Sequence, residues 1–118
     1  MAMALKQDVV AAQMALGICK PVDLVHLSAQ TMGDHELETE VLGVFHSQSQ
    51  IYMNLLESSK DEEILHRAAH SLKGAARGIG AFLLADEAEK LEHTPFAQKS
   101  LVRSELDKVL DYVGGIIN

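Results

Sequence analysis

Apolar residues recur at intervals of three and four along almost the whole chain, the spacing of one buried helical face. Leu5, Val9, Ala12 and Leu16 form the first such stripe, so residues 1–20 are expected to be an extension or a short helix, broken at Gly17 and Pro21. Pro21 suits the opening of a second short helix carrying Leu24, Val25 and Leu27. Met32-Gly33-Asp34 reads as a turn ending in a capping aspartate. A long helix over about 34–58 follows, with Leu37, Val41, Val44, Phe45, Tyr52, Leu55 and Leu56 on its stripe. Ser59 with Glu62 three residues on has the form of a capping box for the next helix. That helix places Leu65, Ala68, Ala69, Leu72, Ala75, Ala76 and Ile79 together and is expected to end at Gly78 and Gly80. A segment over about 81–93 aligns Leu84, Ala88 and Leu91. Thr94-Pro95 reads as a cap and first helical position. The last helix carries Leu101, Val102, Leu106, Val109, Leu110 and Val113, and Gly114-Gly115 is expected to stop it. No alternating strand pattern, internal repeat or low-complexity linker appears. The expected fold is all-α: an antiparallel four-helix bundle over residues 21–115 with one or two additional short N-terminal helices.

Composition narrows this further. A chain of 118 residues is long enough for one proper core. With no Trp, two Tyr and three Phe, aliphatic residues must fill it. A net charge of −7 argues against nucleic acid as a partner, because phosphate-backbone binding needs a dominant basic surface. The lone Cys19 has no internal disulfide partner, which points to a reducing cytoplasm. No apolar run reaches the roughly 18 residues of a membrane span, and Met1 to Lys6 carries no signal-peptide core.

Against an acidic background a basic patch is informative. Each residue turns a helix by about 100°. Within roughly 60° of His70 lie His66, Arg67, Lys73, Gly74 and Arg77, with Glu63 at the edge. The apolar stripe lies on the far side. His70 therefore stands mid-helix on a polar face, ringed by cations, with a side-chain gap at Gly74. A glycine inside a helix costs about 1 kcal/mol relative to alanine, which the close approach of another molecule to the His70 ring would offset. Neutral imidazole is a good nucleophile toward phosphorus near pH 7, and nearby cations stabilise the charge of a transferring phosphoryl group. Lys73, one turn away, is the first choice for that role. Arg77 and Arg67 are weaker choices for it and, with His66, suit docking of an acidic partner. Two blander readings compete: a solvated basic face, and a zinc site on the i, i+4 pair His66 and His70. The second lacks a third ligand and is opposed by the flanking cations, so no metal is expected.

The run His70-Ser71-Leu72-Lys73-Gly74 resembles the signature of histidine-containing phosphotransfer (HPt) domains. The similarity extends over about residues 21–113: Gly33-Asp34 in the turn, Phe45 in the long helix, Ala69 to Ala75, Gly80-Ala81, and the downstream Leu84-x-x-x-Ala88-x-x-Leu91-Glu92. The resemblance implies a four-helix bundle whose exposed His70 accepts a phosphoryl group on Nε2 from a receiver-domain aspartate and passes it to another. It implies no autonomous kinase activity, no ATP site and no cofactor of the chain's own, the Mg²⁺ belonging to the receiver. By position it implies that Glu92 hydrogen-bonds the other ring nitrogen of His70. Relatives often carry a small or polar residue where Arg77 stands. The expected partners are response-regulator receiver domains or a hybrid histidine kinase, without nucleic acid or membrane, and the chain is expected to be a monomer. Two alternatives stay open: a phosphoacceptor segment of a chemotaxis-type or hybrid kinase, and a non-phosphorylated helical adaptor.

Other polar residues lack companion chemistry. His26, His35, His46 and His93 are expected at the surface or boundary, Cys19 as an inert thiol, and Met14, Met32 and Met53 as core filler. Phe45 and Tyr52 are expected to pack, and Leu27 and Met32 are candidates for an apolar docking surface.

Overall fold

Three of the helices begin at an aspartate whose carboxylate accepts from the open first turn. The structure, a computed structural model, describes residues 20–117. Asp23 accepts from His26 N at the start of α1 (Leu24–Gln30), Asp34 from Leu37 N at the start of α2 (His35–Ser58), and Asp61 from Glu63 N and Ile64 N at the start of α3 (Glu62–Ile79). Each replaces a partner that the first turn of a helix lacks. Two further helices, α4 (Phe82–His93) and α5 (Ser100–Ile117), complete the described residues, among which there is no strand.

α3 packs on both α2 and α4, and α5 closes the bundle against α2 and α4. The connections at residues 59–61, 80–81 and 94–99 are short, which makes successive helices antiparallel. The core is aliphatic, built from Leu42, Met53, Leu56, Leu65, Leu72, Leu84, Leu106 and their neighbours. This is the expected four-helix bundle with one short helix before it. The stripe at Leu5, Val9, Ala12 and Leu16, with Met14 and Cys19, lies outside the described residues.

The tightest corner is at Gly80. Its φ of 82° is left-handed, and Ala81 N donates to Ala76 O at 2.8 Å, closing α3 in a Schellman-type turn. A Cβ on Gly80 would lie 2.8 Å from Asp23 O, and Asp23 N donates to Gly80 O at 2.9 Å. Conformation and space both require glycine here, and the contact ties α1 to the α3–α4 corner. On the other side of that corner the His26 ring meets Phe82 edge-on, with centroids 5.2 Å apart.

Several boundaries differ from the sequence pattern. Pro21 stands ahead of α1 rather than opening it, because Asp23 provides the cap. Asp61, not Ser59, caps α3; the Ser59 hydroxyl instead accepts from Asp61 N. Gly78 sits within α3. Thr94 closes α4, its amide and hydroxyl both donating to Lys90 O, and Pro95 falls in the turn that follows. Gly114 and Gly115 lie inside α5, where burial of Val113 and packing of Ile117 hold the last turn against the glycine penalty. On α2 the buried set is Leu42, Phe45, Ser49, Met53 and Leu56, while Leu37, Val44 and Leu55 are exposed. Met32 is no core filler: with φ 54° in the turn it is 95% exposed, whereas Leu27 is buried.

Ser49 is the odd member of that set. Its side chain is buried, and its hydroxyl finds no hydrogen-bond partner among the described residues. A buried polar group left unpaired is destabilising, and serine is a poorer helix former than alanine. Ser49→Ala is expected to stabilise the bundle by about 1 kcal/mol, seen as a rise of a few degrees in the thermal midpoint.

Candidate functional site

α3 turns Leu65, Ala68, Ala69, Leu72, Ala76 and Ile79 into the core. The opposite face is therefore solvent-facing, and the His70 side chain there is 64% exposed. Gly74, one turn on, is exposed, and among the described residues nothing beyond its chain neighbours and its own helix backbone lies within 4 Å of the position its Cβ would take. The ring thus has open space on the side toward the C-terminus of α3.

α4 brings the next group. Residues 70 and 92 lie equally far from Ala81 along two antiparallel helices, so they come level across the α3–α4 interface. Leu84, Ala85, Ala88 and Leu91 pack α4 inward. Glu92 follows them into the seam, where its side chain is only 9% exposed. Its Oε1 lies 2.5 Å from His70 Nδ1, and Lys73 Nζ donates to its Oε2, also at 2.5 Å. One carboxylate therefore joins two residues of α3. Lys73 is itself largely covered, 14% exposed, with its stem along the bundle and its ammonium on Glu92.

The electrostatics follow from these contacts. The Lys73 hydrogen bond holds the Glu92 carboxyl down to about 2; burial pulls the other way, and the His70 hydrogen bond adds to the lowering. Glu92 is therefore ionised at neutral pH and only accepts. The hydrogen between it and a neutral His70 ring is on Nδ1, which leaves the Nε2 lone pair facing solvent.

The other basic residues are already partnered. Arg67 donates to Glu63 Oε1 at 2.7 Å on its own helix, and Arg77 lies 3.4 Å from Glu89 Oε1 on α4. His66, on the same face, has Nδ1 2.9 Å from the Glu92 carbonyl oxygen. His70, Lys73, Gly74, His66 and Glu92 are thus gathered in one patch, with Arg67 and Arg77 at its two ends. The bond between Lys73 and Glu92 and that between His66 and the Glu92 main chain are not marked in the sequence. The first has only an indirect signal, Lys73 lying one turn from His70, which comes level with Glu92; the second, ending on a backbone atom, has none.

An exposed mid-helix imidazole with a fixed tautomer, a glycine notch and an adjoining ammonium is suited to accepting a phosphoryl group from outside. The Hpt domain profile matches residues 35–113. The chain belongs to the Hpt family. The crystal structure of the histidine phosphotransferase ShpA from Caulobacter crescentus is similar, with 32% sequence identity and a TM-score of 0.69 over 80% of this chain and 88% of that one. Among curated proteins no match is found. The Hpt match runs from the start of α2 to Val113 in α5, so every residue of the patch falls within it.

Proposed function

We propose that this Hpt domain relays a phosphoryl group between receiver-domain aspartates, carried on Nε2 of His70. The observation that supports this most directly is the Nδ1 contact to Glu92, which leaves the outward nitrogen as the nucleophile. The Nε2 lone pair attacks the phosphorus of a receiver aspartyl phosphate. A P–N bond forms, the P–O bond to the aspartate breaks, and the carboxylate leaves with the bonding pair. The ring gains positive charge as the bond forms. Glu92, already accepting from Nδ1–H, compensates that charge without any proton having to move. Transfer to a second aspartate reverses these steps, and because both carriers are high-energy species the relay runs in either direction.

Lys73 supplies the nearest positive charge for the transferring oxygens, and Gly74 leaves room for the receiver's reacting edge. Arg67 and Arg77, at either end of the patch, suit contact with an acidic receiver surface. Mg²⁺ enters with the receiver, and the chain acts as a monomer in the cytoplasm.

Incubation with phosphorylated receiver domains and, separately, with kinase ATP domains tests this reading. Rapid, acid-labile and base-stable labelling from receivers supports it. Labelling from kinase domains alone would mark the chain as a kinase phosphoacceptor instead, and no labelling from either would leave a docking adaptor. The notch has its own test. Gly74→Gln is expected to stabilise α3 by roughly 0.5–1 kcal/mol while slowing transfer from the receiver at least about tenfold, because the reacting centres no longer close to attack distance. Stopped-flow transfer rates beside a thermal melt check both halves.

A further inference from the structure

His66 lies one turn before His70 and shares its hydrogen-bonding arrangement. Its Nδ1 approaches the Glu92 carbonyl oxygen at 2.9 Å. A carbonyl oxygen only accepts, so Nδ1 carries the hydrogen and donates. The acceptor belongs to the last turn of α4, which ends at His93, and a helix leaves its final four carbonyls without an intrahelical donor. His66 therefore reaches across from α3 to satisfy one of them.

The carbonyl it holds belongs to the residue whose carboxylate meets His70 and Lys73. Glu92 is thus fixed twice from α3, at its main chain by His66 and at its side chain by the other two. A carboxylate on a flexible three-bond stem at a helix terminus has many rotamers, and the terminus itself frays. Tying down the backbone removes one source of that freedom. The same positions lie together on one face of α3: the three donors are His66, His70 and Lys73, and all end on one residue of α4.

We infer that His66 is a positioning residue for phosphoryl transfer, fixing the Glu92 main chain so that the carboxylate meets His70 Nδ1. This inference rests on the reading of His70 as the phosphoryl carrier. His66 touches neither the phosphoryl group nor the receiver in this role; it acts through Glu92.

Two variants separate donor from ring. His66→Phe keeps a planar ring and loses the N–H. His66→Asn restores an amide N–H near the place of Nδ1. In the free protein, nitrogen-15 spectra of the imidazoles report the His70 tautomer and the exchange of its Nδ1 hydrogen with water. With a phosphorylated receiver, the dependence of rate on receiver concentration separates the maximal transfer rate from half-saturation. His66→Phe is expected to speed exchange of the His70 Nδ1 hydrogen and lower the maximal rate on the order of tenfold, the scale of a small misplacement of a reacting group, at unchanged half-saturation. His66→Asn is expected to recover both. Unaltered His70 signals in His66→Phe, a change confined to half-saturation, or an asparagine variant as impaired as the phenylalanine one would overturn the inference. The spectra need no receiver. A wild-type protein that accepts no phosphoryl group therefore sinks the phosphotransfer reading alone, and the spectra still decide whether His66 orders His70.

Discussion

His70→Gln is expected to bring phosphoryl uptake from a phosphorylated receiver to background while leaving the bundle folded. The size of the effect comes from chemistry rather than packing. Glutamine offers an amide where the imidazole offers a basic nitrogen, so no P–N bond forms. The fold is spared because the side chain is mostly in water, and substitutions at such places usually change stability by less than about 0.5 kcal/mol. The glutamine amide can also donate to Glu92, so the buried carboxylate keeps a second partner beside Lys73. Gel autoradiography after incubation with a labelled receiver, alongside thermal melts of both proteins, measures the two quantities. Label retained on the variant would move the acceptor to another residue.

The second large effect concerns Glu92 and has a pH signature. Its carboxyl is held down to about 2 by the hydrogen bond from Lys73, aided by the one from His70. In the unfolded chain the same group titrates near its ordinary value of 4.5. The stabilisation is therefore complete above about pH 4.5 and is lost as the pH falls from there toward 2, where the unfolded chain binds a proton that the folded chain refuses. Over that interval wild type should lose on the order of 2–3 kcal/mol more than Glu92→Gln. At neutral pH the variant pays in another way. It leaves the Lys73 ammonium, largely covered, without a counter-charge, a loss of about 1–3 kcal/mol. It also weakens the hold on the His70 tautomer, which should slow transfer by about tenfold or more. Urea midpoints of the two proteins between pH 2 and 7 provide the comparison. Parallel curves would mean that the carboxylate is not engaged in the folded state.

The helices and the polar face of α3 were legible because both rest on angular arithmetic along one chain. His70, Lys73 and Gly74 fall on one side of α3, and Leu65, Ala69, Leu72 and Ala76 on the other, whatever α3 packs against. Ends were harder, because they depend on which of several adjacent groups captures an amide. Asp61 outcompetes Ser59 by reaching two amides at once. Thr94 turns back to Lys90 instead of forward. Gly114 and Gly115 remain helical because the residues on either side of them pack against the bundle. On α2, apolar residues surround much of the helix, so the pattern alone does not select Leu42 and Met53 over Val44 and Leu55. At the site, the place of Glu92 came from family resemblance, and its partnership with Lys73 requires knowing how α3 and α4 lie side by side.

The shared carboxylate also governs how the domain looks from a distance. The Lys73 ammonium and the Glu92 carboxylate cancel each other at the site. A phosphoryl group brings about two negative charges on its oxygens and leaves one positive charge on a ring that keeps its Nδ1 hydrogen, a net gain of about one negative charge at a point already in solvent. Empty and loaded proteins thus differ in the potential around the site, a difference that reaches about a Debye length, roughly 8 Å at physiological salt. In the proposed relay, a receiver meets that contrast before any surfaces touch. The contrast fades as ionic strength rises, so added salt should narrow the gap between their encounter rates.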